Sequence, residues 1–244
     1  MNNITEGVFT SGSSFRAKAE AKARNYRVTN LLLQDFDTYG HILTEEDAKI
    51  GYNFLPSMRK EILSAVRKRN DQGKGVDMNR TTKNMLSSQA MCFNLFVPLN
   101  LNKKFATTFF KQPLGDCQAI IGDIEIEYTP STSIFHDQSG KGGVDCDALL
   151  QYENNAGQHS ILIMETKYVE TEFSICGFRK NVMNKQNKKR DLCPPDTIVN
   201  QGFSNCRYHY KKHYKYWEVA EESELFKMEL IHDNLCPFGG ALWQ

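Results

Sequence analysis

The chain has 244 residues, 40% hydrophobic and 24% charged, proportions that suit a globular protein with a sizeable buried core. Its 30 Lys and Arg against 29 Asp and Glu leave a net charge of +1, which excludes a protein basic over its whole surface; any nucleic-acid contact has to come from charge gathered locally. No apolar run approaches a bilayer span, and seven irregularly spaced cysteines with no signal peptide set the expectation of reduced thiols in a cytoplasmic protein that does not meet the membrane.

Residues 1–12 are mostly polar and read as a frayed terminus. Ser13 or Ser14 is placed to cap a helix that starts at Phe15, rich in alanine and long charged side chains. Thr44-Glu45-Glu46-Asp47 opens a second helix, and Ser57 to Arg69 forms a third, with Met58, Ile62, Ala65 and Val66 on one side and basic residues opposite. Residues 70–79, with Gly73 and Gly75, read as a loop. Leu86 to Val97 reads as an apolar helix halted at Pro98. From Ala119 to Tyr128, Ile124, Ile126 and Tyr128 alternate with Asp123, Glu125 and Glu127, the pattern of a half-buried strand.

Two further stretches of strand length, 144–152 and 160–168, flank a turn from Glu153 to His159 and read as a hairpin. The second is apolar at Ile161 and Ile163 as well as at Leu162 and Met164, which predicts burial on both faces. Residues 177–197 form a basic, Pro-ended insertion, and Val199 to Glu222 reads as a long helix before a Gly/Pro-punctuated tail.

The hairpin carries the chemistry. Asp145 and Asp147 stand at the start of its first strand, and Glu165 and Lys167 near the end of its second. Residues i and i+2 share a strand face, so each pair points one way, and antiparallel pairing brings at least one of the aspartates beside Glu165 and Lys167. Two carboxylates offer hard oxygen ligands to Mg²⁺, with Mn²⁺ as a substitute, and a neighbouring lysine can stabilise negative charge developing on a phosphodiester. The competing reading is a solvated Glu-Lys ion pair of little consequence. The apolar setting weighs against it, because charges in a buried strand are costly unless paired or used.

Asp147, followed eighteen residues on by Glu165-Thr166-Lys167, resembles the active-site motif of the PD-(D/E)XK nuclease superfamily. More closely, Asp147-Ala148-Leu149-Leu150-Gln151-Tyr152 and Glu165-Thr166-Lys167-Tyr168-Val169-Glu170 are similar to a family of small restriction-endonuclease-like proteins. The segments Leu86 to Phe96 and Ile124 to Tyr128 add to the likeness, which covers roughly residues 50–215. It implies an α/β fold with an αβββαβ core, a mixed central sheet flanked by helices, and an extra helical region at the N-terminus. As one domain, this divides into a helical region 1–80, a core 81–222 and a tail 223–244. It implies a metal-dependent DNA endonuclease of restriction or defence type, with Asp147, Glu165 and Lys167 catalytic. Asp145 is a further candidate metal ligand and Glu170 a supporting acid. The superfamily's first helix often supplies an acid; Gln89 stands there instead, and Glu127 is the substitute candidate. By analogy, cutting both strands at a symmetric site favours a homodimer. The rivals are a nuclease-fold protein that binds DNA or a protein without cutting, and an unrelated enzyme with a surface Glu-Lys pair.

Gln89, Gln201, Arg207 and Lys211 are the candidate nucleic-acid contacts. Arg207, Lys211 and Lys215 recur at helical spacing among aromatics, a pattern that suits phosphate binding and an amphipathic helix equally well. Cys206, His209 and His213 share a helical face, but the absence of an adjacent glutamate or a CxxC partner favours a structural role over zinc. Gly73-Lys74-Gly75 and Lys141-Gly142-Gly143 lack the full phosphate-loop pattern and read as turns.

Overall fold

A computed structural model describes residues 15–73, 75–130 and 145–170, together with Val8, Cys206, His209, Trp217, Glu218 and Glu222. The chain divides into two compact units, Met1–Tyr128 with Cys146–Glu170, and Thr129–Asp145 with Thr171–Gln244. All the elements named below belong to the first.

Helix α1 spans Phe15–Thr29. Arg27, on its buried side, donates to the carbonyls of Leu33, Gln34, Asp35 and Gly40 at 2.6–3.0 Å, so one guanidinium gathers the following loop. Helix α2, Glu45–Ile50, starts where the Thr44 hydroxyl accepts from the Asp47 N–H and ends at Gly51, whose φ of 87° suits glycine. A Cβ at Gly51 would also meet the Leu63 side chain at 2.7 Å. A single 3₁₀ turn, Pro56–Met58, leads into α3, Arg59–Asp71, which buries Ile62, Leu63 and Val66.

The stretch read as a loop contains the start of α4, Met78–Lys83, capped by Asp77. Helix α5 runs Ser88–Leu101 and passes through Pro98 instead of stopping there. Its buried residues, among them Gln89, Cys92, Phe93, Phe96, Val97 and Leu99, lie on more than one side. Packing on several faces outweighs the one backbone hydrogen bond that Pro98 removes. Helix α6, Lys103–Leu114, was not expected; it turns Ala106 and Phe110 inward.

Three strands follow: β1 (Cys117–Tyr128), β2 (Cys146–Asn154) and β3 (His159–Met164). They form an antiparallel sheet in the order β1-β2-β3, so the described part of this α/β fold contains no parallel pair. The expected helix and last strand of the αβββαβ core lie outside the described residues. The hairpin turn is tighter than anticipated, with Gly157 at φ 73°. On β1 the register slips between Ile121 and Glu125, where Gly122 at φ 65° accommodates a bulge. The core sits between α3, α5, α6 and one face of the sheet, around Phe93, Ile62, Val66, Ile124, Ala148 and Leu150. Burial of β3 on both faces is corrected: Leu162 and Met164 pack on the core, whereas Ile161 and Ile163 are 65% and 54% exposed. No described helix is long and apolar enough to cross a membrane.

Candidate functional site

The sheet register aligns three acids. On β1 and β2, Ile126 pairs with Ala148 and Tyr128 with Cys146, so Glu127 stands across from Asp147. On β2 and β3, Ala148 pairs with Met164, and one step further places Glu165 across from Asp147 on the other side. Glu127, Asp147 and Glu165 thus occupy one cross-strand row, with adjacent strands about 4.8 Å apart. The second strand was expected to reach residue 168, but it ends at Met164; Glu165 and Lys167 lie in the chain just beyond it.

That chain is held locally. The Asp147 carboxylate accepts the Thr166 N–H at 2.5 Å through Oδ2, and Lys167 Nζ donates to Glu165 Oε1. Burial, the largest influence, raises the Asp147 pKa above the usual carboxylate range. The Thr166 hydrogen bond opposes it, the Glu165 charge adds to it, and Lys167 and Arg80 pull the other way. Cys92, on α5, donates its thiol to the Asp147 carbonyl at 3.2 Å. Burial and then the charges of Asp147, Glu127 and Glu165 hold that thiol protonated, which marks convergence of all three acids on one region. Cys92 is therefore a packing residue and not a nucleophile.

Glu127 departs from the alternation of β1. The pattern put it on the outer face with Asp123 and Glu125, yet it is 6% exposed and has a φ of 53°, in the left-handed region that a non-glycine residue rarely enters. Its Oε1 accepts from Gln89 Nε2 at 2.8 Å, and its carbonyl accepts from Arg69 at 2.7 Å. These bonds hold an otherwise unfavourable backbone, a form of strain that gathers at functional sites. Gln89 also donates to the Gly75 carbonyl at 3.0 Å and accepts from the Asp77 N–H at 3.0 Å and from the Thr81 hydroxyl. Both amide hydrogens and both carbonyl lone pairs are thereby used, and the side chain is buried. Gln89 is spent on Glu127 and its surroundings, which leaves no hydrogen-bonding capacity for a base edge.

Glu170 Oε2 accepts the Tyr168 and Val169 N–H groups at 2.8 and 3.1 Å. Burial alone would raise its pKa, but those bonds, with its own N–H and the Ser88 hydroxyl, bring it below the usual value. Arg80 lies 3.7 Å from Glu170 Oε1 and donates to Ser88 Oγ at 2.9 Å. Arg80 carried no signal in the sequence, since it belongs to no motif and opens onto the site only through α4. Ser88 and Thr166 lie inside the segments 86–96 and 165–170 that carry the resemblance, but nothing there marks their own hydrogen bonds. Asp145 precedes β2, in the second unit, and its exposed carboxylate accepts the Thr129 hydroxyl at 2.7 Å. Also in that unit, His209 Nδ1 lies 3.1 Å from the Glu218 carboxylate. Gln201, Arg207, Lys211, His213 and the basic 179–190 segment lie outside the described residues.

Among the described residues no group of three or more His, Cys, Asp or Glu side chains is placed to hold a metal ion. Magnesium does not require one, since it keeps several waters and takes one or two carboxylates. Asp147 Oδ1 and Glu165 Oε2 accept no hydrogen bond from a described residue, so the donor set suits a hard divalent cation.

A family model described as the PD-(D/E)XK nuclease superfamily matches residues 10–193 of this chain. No curated protein and no solved structure matches it.

Proposed function

The chain belongs to the PD-(D/E)XK nuclease superfamily, and from that premise we propose that it is a metal-dependent endonuclease that hydrolyses DNA phosphodiester bonds, of restriction or defence type. The observation that carries this reading is the cross-strand row of Glu127, Asp147 and Glu165 with Lys167 beside it. A surface ion pair would need none of the other two acids.

Asp147 Oδ1 and Glu165 Oε2 would hold Mg²⁺, or Mn²⁺ in its place, with Asp145 a further candidate ligand. A divalent cation in that position supplies charge neutralisation for the phosphodiester and lowers the pKa of a water. Lys167, steered by Glu165, directs its ammonium at the oxygens of the phosphate under attack and stabilises the charge that builds there. Glu127, locked by Gln89, orients the attacking water from the third position of the row. The water oxygen forms the new bond to phosphorus, and the bond to the departing sugar oxygen breaks. Glu170 supports the site by shaping the Tyr168–Val169 backbone and by pairing with Arg80. Because DNA is a polyanion and the protein near neutral, contacts from Arg207, Lys211 and Gln201 would complete substrate binding. A homodimer in the cytoplasm cutting both strands fits the same reading.

The test is supercoiled plasmid incubated with the purified protein and Mg²⁺, Mn²⁺ or EDTA. Nicking or linearisation with either metal and none with EDTA is the expected result. An unchanged plasmid in all three would remove the proposal.

A further inference from the structure

A second surface of the first unit carries two lysines and includes none of Glu127, Asp147, Glu165 and Lys167. Between α1 and the turn at 52–56 runs a groove of about 970 Å³. Its walls carry Lys18 and Lys22, and among the described residues no acidic one lines it. The two lysines stand at i and i+4, so they share one side of α1 about 6 Å apart along the axis. Both are exposed, and neither forms an ion pair with a described residue. Tyr26, one further turn along the same side, is 43% exposed. Phe54 and Met85 contribute an apolar floor, and at the far wall stands Tyr168, exposed and immediately after Lys167.

Cations in register with exposed aromatic rings over an apolar floor match a chain of phosphates that carries flat bases. Ring faces stack on bases that are not already stacked in a duplex. We propose that this groove binds a single-stranded nucleic-acid segment, which leaves the acid row past Tyr168 and runs along Lys18, Lys22 and Tyr26. The direction of the strand relative to the scissile bond rests on the nuclease reading; the binding itself does not. With a net charge of +1, such local segregation is the only route to polyanion affinity. The outer side of α3 is a second basic surface, lined by Lys60, Arg67 and Lys68, but Asp71 interrupts it and no aromatic side chain among the described residues joins it.

Fluorescence anisotropy of a labelled oligothymidylate, in EDTA and across a salt series, tests the groove. Lys18→Ala/Lys22→Ala keeps a strong helix former at both positions, and circular dichroism checks that the variant folds. The expected outcome is a loss of affinity on the order of tenfold and a salt slope shallower by about 1.4, the contribution of two phosphate contacts to a single strand. Tyr26→Ala should weaken binding with little change in slope, and Lys60→Ala/Lys68→Ala should bind as the parent does. Parental affinity in Lys18→Ala/Lys22→Ala, a loss confined to the α3 pair, tighter binding of a duplex of the same length, or equal competition by polyglutamate would each overturn the proposal. A parent that cuts plasmid while Lys18→Ala/Lys22→Ala binds normally removes the groove and leaves the nuclease. Groove-dependent binding in a parent that never cuts does the reverse.

Discussion

The Asp147 carboxylate accepts the Thr166 backbone N–H at 2.5 Å, and this one bond ties the aspartate on β2 to the residue lying between Glu165 and Lys167. Thr166 is buried, so the bond is shielded from water, and it places the second acid and the lysine although the strand that leads to them has already ended.

Asp147→Asn should keep that bond, because the amide oxygen also accepts, while it removes a buried charge. The folded-state pKa of Asp147 is raised, so the folded protein holds its proton more tightly than the unfolded chain does. The cost of the ionised group is therefore present in full above the raised value and fades as pH falls through it. Thermal melts should show Asp147→Asn more stable than the parent at pH 8, with the gap closing toward pH 4. Added Mg²⁺ should stabilise the parent, by about 2.7 kcal/mol at a hundred times its Kd, and the variant far less. A variant that gains nothing at pH 8 and responds fully to Mg²⁺ would exclude Asp147 as a buried ligand.

Arg80 is the cation through which α4 acts on the site, since its charge lowers the Asp147 pKa. Arg80→Met should move the acid limb of the pH–rate profile toward higher pH, because Asp147 then holds its proton longer. An acid limb that does not move would reduce Arg80 to a partner of Glu170 and Ser88.

Gln89→Leu should be among the most damaging single changes. It strips the buried Glu127 carboxylate of a donor and leaves the Asp77 N–H and the Thr81 hydroxyl short of an acceptor. Unsatisfied buried groups cost about 1–3 kcal/mol each, and with Glu127 and Thr81 both buried a loss on the order of 3 kcal/mol in urea unfolding is expected. Gln89→Glu should also destabilise, by setting a second carboxylate against Glu127, and its deficit should shrink on acidification. Parental stability in both variants would contradict the positioning role.

Much of this architecture is written in local pattern. The alanine-rich run at α1, the Thr44 cap of α2, the apolar face of α3 and the polar turn between β2 and β3 each have a short-range cause. Asp147, Glu165 and Lys167 came to notice through hairpin spacing and a motif resemblance, and the register then places the two acids side by side. Helix α6 was hidden because Thr107, Thr108, Phe109 and Phe110 suit a strand as readily, and only the packing of Ala106 and Phe110 decides for helix. Pro98 misled for a related reason, as burial around α5 outweighs a local breaker. The inward turn of Glu127 could not be read from alternation at all. It depends on a positive φ sustained by Gln89 and Arg69, residues 38 and 58 positions away.

Lys167 separates a working site from an ion pair more sharply than any other residue. Its ammonium contacts Glu165 and is assigned to charge that appears only as the phosphodiester is attacked. The deciding measurement is the single-turnover cleavage rate of Lys167→Met beside the parent at saturating DNA and Mg²⁺. The expected result is a rate lower by about 100-fold or more, with DNA affinity and the Mg²⁺-dependent shift in melting retained. Cleavage at the parental rate, with at most ~1 kcal/mol lost in stability, would contradict the assignment and return Glu165 and Lys167 to an ordinary surface pair.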